Sequence, residues 1–495
     1  MNRIPRRSFL KRSLATTASL ALAPAFAVEQ AGSQGTAPAS SASRVEGANG
    51  DIRYAVVGFN GRGQSHLEGF RKAPGTRLVA LCDVDRDVLG KEVQKCKDRG
   101  QEVAAYTDVR KLLEDKNVDV VSFATPNHWH ALGAIWAMQA GKDVYVEKPV
   151  SHNVWEGRQI VNAARRLNRI VQAGTQSRSS YGISEAIAWT REGHIGKIVC
   201  ARGLCYKRRP SIGKVAGPQP IPPAIDYDLW CGPAPKGPLM RQKLHYDWHW
   251  VWPTGNGDLG NQGIHQMDMA RWVLGEPALS PRILSIGGRL GYVDDGTTPN
   301  TLVVLHDYPA APLIFEVRGL PASATAEAMD RYHGVSIGLV AEFEGGSMVF
   351  PDYTSARVFD KEGGEIKSFK GAKDHFANFL EAVRSRKTAA LNADILEGHL
   401  SSALCHTGNI SYRLGKPQTP EETREAAKCN RELADSLGRM EEHLAANKVD
   451  LLKTPLMVGA VLKMNPQSER FVDNAAANRM LTRDYRKPFV VPKKV

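Results

Sequence analysis

A chain of 495 residues exceeds what a single hydrophobic core organises and calls for two or more domains. Its formal charge of +13 is spread along the sequence without a dense Lys/Arg block, which argues against a nucleic-acid groove. Seven cysteines, at positions 82, 96, 200, 205, 231, 405 and 429, contain no CxxC pair; they give neither a metal pattern nor a disulfide framework and read as reduced, buried thiols.

The chain opens on Arg6-Arg7-Ser8-Phe9-Leu10-Lys11, a twin-arginine pattern, followed by the apolar run Leu14 to Ala27 and an Ala25-Phe26-Ala27 cleavage signal. This predicts a signal peptide over residues 1–27, export by the twin-arginine route (to the periplasm or beyond) and no stable membrane anchor. That segment carries five basic residues and no acidic one, so its removal leaves +8. Residues 28–50, rich in Ala, Ser and Gly, read as a flexible linker.

Asp51 to Val57 reads as a strand running into Gly58-Phe59-Asn60-Gly61-Arg62-Gly63. A glycine turn between strand and helix lets backbone N–H groups approach a pyrophosphate. Asn60 stands where G-x-G-x-x-G has its middle glycine, and asparagine is well suited to a left-handed conformation. A second strand, Arg77 to Cys82, ends in Asp83-Val84-Asp85, and an acid at that distance suits the ribose hydroxyls of NAD. Asp83 would repel the extra phosphate of NADP, while the neighbouring Arg86 would attract it, so NADP stays open. The other reading is a doubly wound domain with an ordinary tight turn.

After a helix from Val109 to Asp115 comes the most informative stretch, Val118 to His152. Val118 to Ala124 is a buried-strand pattern, Thr125-Pro126-Asn127 breaks it, His128 to Ala140 has helical spacing, and Asp143 to Val146 is the next strand. This β-α-β unit places Thr125, Pro126, Asn127, His130, Glu147 and Lys148 at the carboxyl ends of strands, where open α/β sheets bind ligands. A further strand and polar turn, Ile170 to Gln176, closes the predicted dinucleotide domain, residues 51–176.

From Ser177 the pattern changes to a helix, Gly182 to Glu192, and then strands in succession: Lys197–Tyr206, Arg282–Tyr292, Thr301–Asp307, Leu313–Arg318, Gly334–Phe343 and Ser347–Pro351. These predict a second α/β domain, residues 177–415, with a large, mostly antiparallel open sheet. A long insertion, Lys207 to Pro281, interrupts it. Its cluster Tyr246-Asp247-Trp248-His249-Trp250-Val251-Trp252 suits sugar rings, or equally packs a loop onto the sheet, so no single tryptophan is assigned. The insertion ends in a predicted helix starting near Ile264, on which Asn261, His265 and Asp268 would share one face if the helix reaches back far enough. Helices are predicted over 372–386, 392–414 and 428–447, the first two covering the sheets. Residues 416–495 form a helical and extended tail, either an oligomer arm or a wrapping segment.

The glycine turn with His66, Glu147-Lys148-Pro149, and Gly263-x-His265-x-x-Asp268 together resemble the Gfo/Idh/MocA oxidoreductases over residues 51–414. The resemblance implies an N-terminal Rossmann domain holding NAD (NADP possible) and a C-terminal sheet domain that makes subunit contacts in a homo-oligomer. It implies catalytic roles for Lys148 and His265, and a Lys148–Pro149 bond that is often cis. Cofactor contacts would come from Gly58, Asn60, Gly61, Arg62, Gly63, Asp83, Thr125, Pro126, Asn127, His130, Glu147, Lys148 and Gln176. Asn261 stands where the family commonly has Asp, and it can bond a hydroxyl but cannot accept its proton. Asn261, Asp268 and Tyr206 are the substrate-binding candidates, and no metal is implied.

Three functions fit these residues: hydride transfer between a sugar or polyol carbinol carbon and a retained nicotinamide cofactor; an NAD-requiring glycosidase, in which His265 or Tyr206 serves as acid; and a non-catalytic sugar-binding protein.

Overall fold

The computed structural model describes residues 50–494. The twin-arginine pattern, the cleavage signal and all but the last residue of the predicted linker lie outside the described residues. Six strands open the fold: β1 (Ile52–Val57), β2 (Thr76–Cys82), β3 (Ala104–Tyr106), β4 (Val120–Phe123), β5 (Asp143–Val146) and β6 (Val171–Ala173). All are parallel, in the order β3-β2-β1-β4-β5-β6. Every residue of β4, β5 and β6 is buried, as a parallel strand covered on both faces requires. Strand order reverses between β1 and β4, so the crevice for a ligand opens at their carboxyl ends, beside Gly58 and Thr125.

The second sheet has twelve strands and is mostly antiparallel. It comprises β7 (Ile198–Tyr206), β8 (Arg282–Gly288), β9 (Thr301–His306), β10 (Leu313–Arg318), β11 (Ile337–Phe343), β12 (Gly346–Phe350), β13 (Ser355–Asp360), β14 (Glu365–Lys370), β15 (Lys416–Gln418) and β16 (Leu456–Val458), with β17 (Leu462–Asn465) pairing onto β8 and β18 (Arg470–Phe471) onto β17. The main path runs β14-β13-β12-β11-β7-β10-β9-β8-β16-β15, and only β7 and β10 pair in parallel. The hairpin β13–β14 escaped the sequence reading because β14, EIKSFK, is polar and largely exposed.

Alternation along the strands sorts the two faces. Leu302, Val304, Leu313, Phe315 and Val317 face the helices Gly263–Leu274 and Ile395–Arg413. Val303, Leu305 and Ile314 point the other way, against Leu433, Leu437, Met440 and Leu444 of the helix Arg431–Ala446. The expected open sheet is therefore not open over β8, β9 and β10: the chain's own tail helix covers it.

The tail packs along its own chain. It adds β15 and β16 beyond β8 and then returns to the first domain, where Phe489 packs edge-on against Trp129 at 5.6 Å between centroids. Fully burying one such phenylalanine contributes roughly 1.5–3 kcal/mol. Tyr485 donates its hydroxyl to Glu156 at 2.9 Å, and Arg486 bonds Asp228 at 2.8 Å. The helix His375–Ser385 also crosses back: Phe379, Leu380 and Val383 belong to the core of the first sheet. Six cysteines are buried, Cys429 is exposed, and none is paired.

Candidate active site

The glycine turn leads from β1 into the helix Arg62–Lys72, whose first turn has no side-chain cap and no acidic residue. Such an end presents free N–H groups to an anion. Gly58 has φ +76, and a Cβ there would meet the Thr125 backbone nitrogen at 2.9 Å. A Cβ on Gly63 would lie 2.1 Å from the Gly58 oxygen, so helix and strand pack too closely for a side chain. The left-handed conformations fall on Gly58 and Gly61; Asn60 does not take one, because Gly61 absorbs the turn at φ +138. Asn60 is instead an exposed wall of the cleft.

Asp83 follows β2 directly and lines the same cleft. Its carboxylate accepts from the N–H groups of Phe59 (3.2 Å) and Asp85 (3.0 Å), which fixes its direction. Burial raises its pKa, and those two bonds oppose the rise. Arg86 is turned away and donates to the Pro223 carbonyl at 2.6 Å. The Thr125 hydroxyl is buried without a partner, as a group awaiting a ligand would be. The turn, the acid and this hydroxyl fit a dinucleotide along the cleft, with the pyrophosphate on the turn and the ribose on Asp83.

Glu147 is 3 % exposed and fully engaged. It accepts from Arg62 Nε (2.8 Å), Gln176 Nε2 (3.2 Å) and the Lys148 N–H (3.1 Å), and lies 3.1 Å from His66 Nε2. Burial opposes its ionisation, but the Arg62 charge and the His66 bond outweigh that and hold it well below the usual carboxylate range. Glu147 thus ties the start of the glycine-turn helix to the end of β5. His130 makes a parallel stitch, with its ring nitrogens 2.6 Å from the Pro149 oxygen and 2.8 Å from the Thr125 oxygen.

Lys148 emerges from this braced corner, and its bond to Pro149 is cis. Its Nζ donates to the Asn261 carbonyl at 2.7 Å. Burial pushes its pKa down, and Arg62 and Lys207 push the same way against the pull of Glu147. His265 belongs to the same electrostatic neighbourhood: burial, then Lys148, hold its pKa well below the ordinary imidazole value. Its Nδ1 has no partner, and its ring lies 4.7 Å from that of Tyr353. A neutral imidazole and a lysine of lowered pKa are thus coupled electrostatically, a pairing suited to polarising a hydroxyl and taking its proton.

The insertion supplies the roof. The cleft, about 510 Å³, is closed on its far side by Trp230, His245, Tyr246, Trp248 and His249. These are fastened to the first domain: Trp129 Nε1 donates to the Leu229 carbonyl at 3.0 Å, and His245 Nε2 lies 3.0 Å from Asp85. Tyr246 sits at the centre of a γ-turn, φ 64 and ψ −51, with the Asp247 N–H bonded to the His245 oxygen at 2.8 Å. That conformation is rare and strained for a tyrosine, and such strain clusters at functional sites. Its hydroxyl is held by Arg209 at 2.8 Å. The aromatic run 246–252 was visible in the sequence, but its roofing role and that of Tyr353 were not.

Of the predicted site residues, Gly58, Asn60, Gly61, Arg62, Asp83, Thr125, Pro126, Asn127, His130, Glu147, Lys148 and Asn261 line one cleft. Gln176 reaches it through Glu147. Gly63 lies behind the turn, packed on Gly58, and His265 is outside the lining, coupled to it through the Lys148 charge. Asp268 and Tyr206 are not brought there. The helix begins at Gly263, after a break at Gln262, so Asn261, His265 and Asp268 do not share a continuous helical face. Asp268, 1 % exposed, is bound by Arg178 and Ser401. Tyr206 has its side chain on the outer face of the sheet, where it donates to Glu316 at 2.6 Å. Cys200, Glu342 and Glu432 approach as metal ligands would, but Arg202 is paired with both glutamates and supplies the positive charge.

A family model described as an oxidoreductase family with an NAD-binding Rossmann fold matches residues 52–175, and the model of its C-terminal α/β domain matches residues 187–298. These two segments match the two domains of the Gfo/Idh/MocA oxidoreductase family. Among curated relatives, the chain is 34 % identical over 178 residues to "Glycosyl hydrolase family 109 protein 2" of Shewanella sp. strain ANA-3, covering 34 % of this chain and 39 % of that one. It is 32 % identical over 209 residues to an alpha-N-acetylgalactosaminidase of Shewanella oneidensis, covering 40 % and 45 %. The chain thus spans less than half the length of either relative. Two solved structures share its fold. The WlbA dehydrogenase of Bordetella pertussis, in complex with NADH and UDP-GlcNAcA, superposes with TM-score 0.53 at 18 % identity, covering 72 % of this chain and 94 % of that one. A levoglucosan dehydrogenase, in complex with NADH and levoglucosan, superposes with TM-score 0.53 at 17 % identity, covering 72 % and 95 %.

Proposed function

We propose that this chain is an exported Gfo/Idh/MocA enzyme that oxidises or reduces a sugar or polyol at a carbinol carbon, with NAD held beneath the insertion. The observation that carries the reading is the Lys148 amine: half-buried, lowered in pKa and bonded only to the Asn261 carbonyl among the described residues, at the end of a cleft shaped for a dinucleotide. When bound, the nicotinamide supplies a two-electron acceptor or donor. Lys148 Nζ takes the proton of the sugar hydroxyl, and His265, uncharged, shares that oxygen. Glu147, Arg62 and His130 hold the lysine's turn in place, and the aromatic roof excludes water. Asp83, with Arg86 turned aside, favours NAD over NADP.

The curated relatives favour a second reading, glycoside cleavage through transient oxidation of a ring hydroxyl. The same lysine and histidine would serve there, but the cofactor would end each cycle unchanged. One experiment separates the two. The purified protein is denatured and any released nucleotide identified by mass. The folded protein is then offered free sugars and aryl glycosides while nicotinamide absorbance and aglycone release are followed together. Net change in absorbance with free sugars supports the dehydrogenase; aglycone release without net change supports the glycosidase. A protein that neither contains nor binds NAD overturns both.

A further inference from the structure

A second cavity, about 530 Å³, lies behind the first. It forms where the turn after Lys148–Pro149, the end of the insertion, the helix Ile395–Arg413 and the tail segment 476–484 converge. Its walls hold groups that the fold buries and leaves unsatisfied. His406, 3 % exposed, has Nε2 3.4 Å from the Ser151 hydroxyl and no partner on Nδ1. Asn409, 4 % exposed, donates to the Asn256 carbonyl at 2.9 Å, and its Oδ1 accepts from nothing. Arg483 donates through Nη1 to the Pro253 carbonyl at 2.9 Å, while its Nε and Nη2 lack a hydrogen-bond partner. Native proteins rarely leave so many buried donors and acceptors idle in one place.

The charge balance is one-sided. Arg413, Arg479 and Arg483 all line the cavity, and Arg413 lies over the Trp252 ring at 5.0 Å. Among the described residues no carboxylate pairs with Arg413 or Arg479, which are exposed, as is Asp484, the acidic residue in the lining. Buried Glu156 forms an ion pair with Arg483 Nε at 3.5 Å, longer than a good hydrogen bond, and the cations still outnumber the carboxylates. The cations act on one another across the space: after burial, Arg483 is the next influence lowering the pKa of both Arg413 and His152.

From this geometry we propose that the cavity binds a small hydroxylated oxyanion, a sugar carrying a carboxylate, sulfate or phosphate group. The oxyanion would lie between Arg483 and Arg413, where planar guanidinium forks match it. A hydroxyl would donate to Asn409 Oδ1, an idle group that cannot donate, and this separates a sugar acid from a bare sulfate. Segment 476–484 and Arg413 lie outside the two matched segments. It does not depend on the cofactor reading. Asn256 links the two cavities, its amide bridging Asn127 (2.9 Å) and the His152 carbonyl (3.0 Å).

The test is calorimetric titration of the full protein with glucuronate, glucose 6-phosphate, glucose and inorganic sulfate. Saturable binding of the charged sugars, at least tenfold tighter than of glucose, is expected. Arg413→Gln and Arg483→Gln should each weaken it at least tenfold, and Lys148→Ala should leave it unchanged. Arg413 stands at an exposed helix end, so its variant folds even if loss of the Arg483 bond to Pro253 loosens the tail. Sulfate binding as tightly as the charged sugars would overturn the hydroxyl assignment. Glucose binding equally well, binding lost in Lys148→Ala, or binding indifferent to Arg413→Gln would overturn the site.

Discussion

Around Glu147 and around Glu316 the chain buries a carboxylate among several cations, and only one of the clusters borders an empty space. Glu316, 2 % exposed, accepts from Arg439 (2.7 Å), Arg202 (3.2 Å), Ser436 (3.0 Å) and Tyr206 (2.6 Å), beneath the tail helix. Burial opposes its ionisation and the arginines outweigh it, as Arg62 does at Glu147. By pKa direction alone the two are indistinguishable. What separates them is what the network leaves over. At Glu316 every surrounding cation is absorbed by a carboxylate or a ring face, whereas at Glu147 the neighbouring Lys148 retains an amine with a single carbonyl partner and a cleft beside it. Perturbed titration marks a candidate site only when geometry gives the perturbed group something to act on.

The sharpest way to break this comparison is Lys148→Ala. Turnover should fall about 10³-fold, within the range for removing a positioned base, while thermal unfolding stays nearly unchanged. Glu316→Ala should do the converse, costing about 3–4 kcal/mol of stability by stranding buried arginines, with turnover per folded molecule intact; chemical denaturation beside an activity assay reads both. If Glu316→Ala abolished turnover in folded protein, the distinction would collapse.

An acid titration extends the contrast to the histidines. His128, His306 and His406 are pushed down to about 3 by burial, and His265 falls well below its ordinary value. Their folded pKa lies below the unfolded value of about 6.5, so the unfolded chain binds more protons between the two. Stability is full above about pH 6.5 and declines as pH falls toward about 3; unfolding midpoints across that window check the sign. A midpoint that rose on acidification would contradict the neutral His265 on which the proposed chemistry relies. The smallest effect belongs to Asp83→Asn, which should relax the preference for NAD over NADP by about tenfold, or 1.4 kcal/mol, in a binding titration.

Legibility in the sequence followed how local each signal was. The glycine turn, Asp83, and Glu147-Lys148-Pro149 announce themselves because strand, turn and acid follow one another within a few residues, and the strand runs of the second domain were legible for the same reason. Asn60 was misjudged because a neighbouring glycine took the strain. Asp268 and Tyr206 were misplaced because the helix break at Gln262 and the outward phase of β7 are settled by packing against Arg178 and Glu316, which lie far away in sequence. The roof of Trp230, Tyr246 and Trp248 was invisible as a roof, since nothing in a loop's own sequence says which domain it will lean on. The hairpin β13–β14 failed for the opposite reason: β14, exposed on both sides, has no apolar alternation to read.

Phe489 and Val491 complete the apolar core that surrounds Trp129 and Leu132. During synthesis that wall arrives long after the strands it covers have left the ribosome. The nucleotide-binding half therefore stays incompletely sealed until residues 489–491 have emerged, so its maturation is tied to a segment far outside its own sequence, and Trp129 and Trp136 lack their Phe489 cover until then.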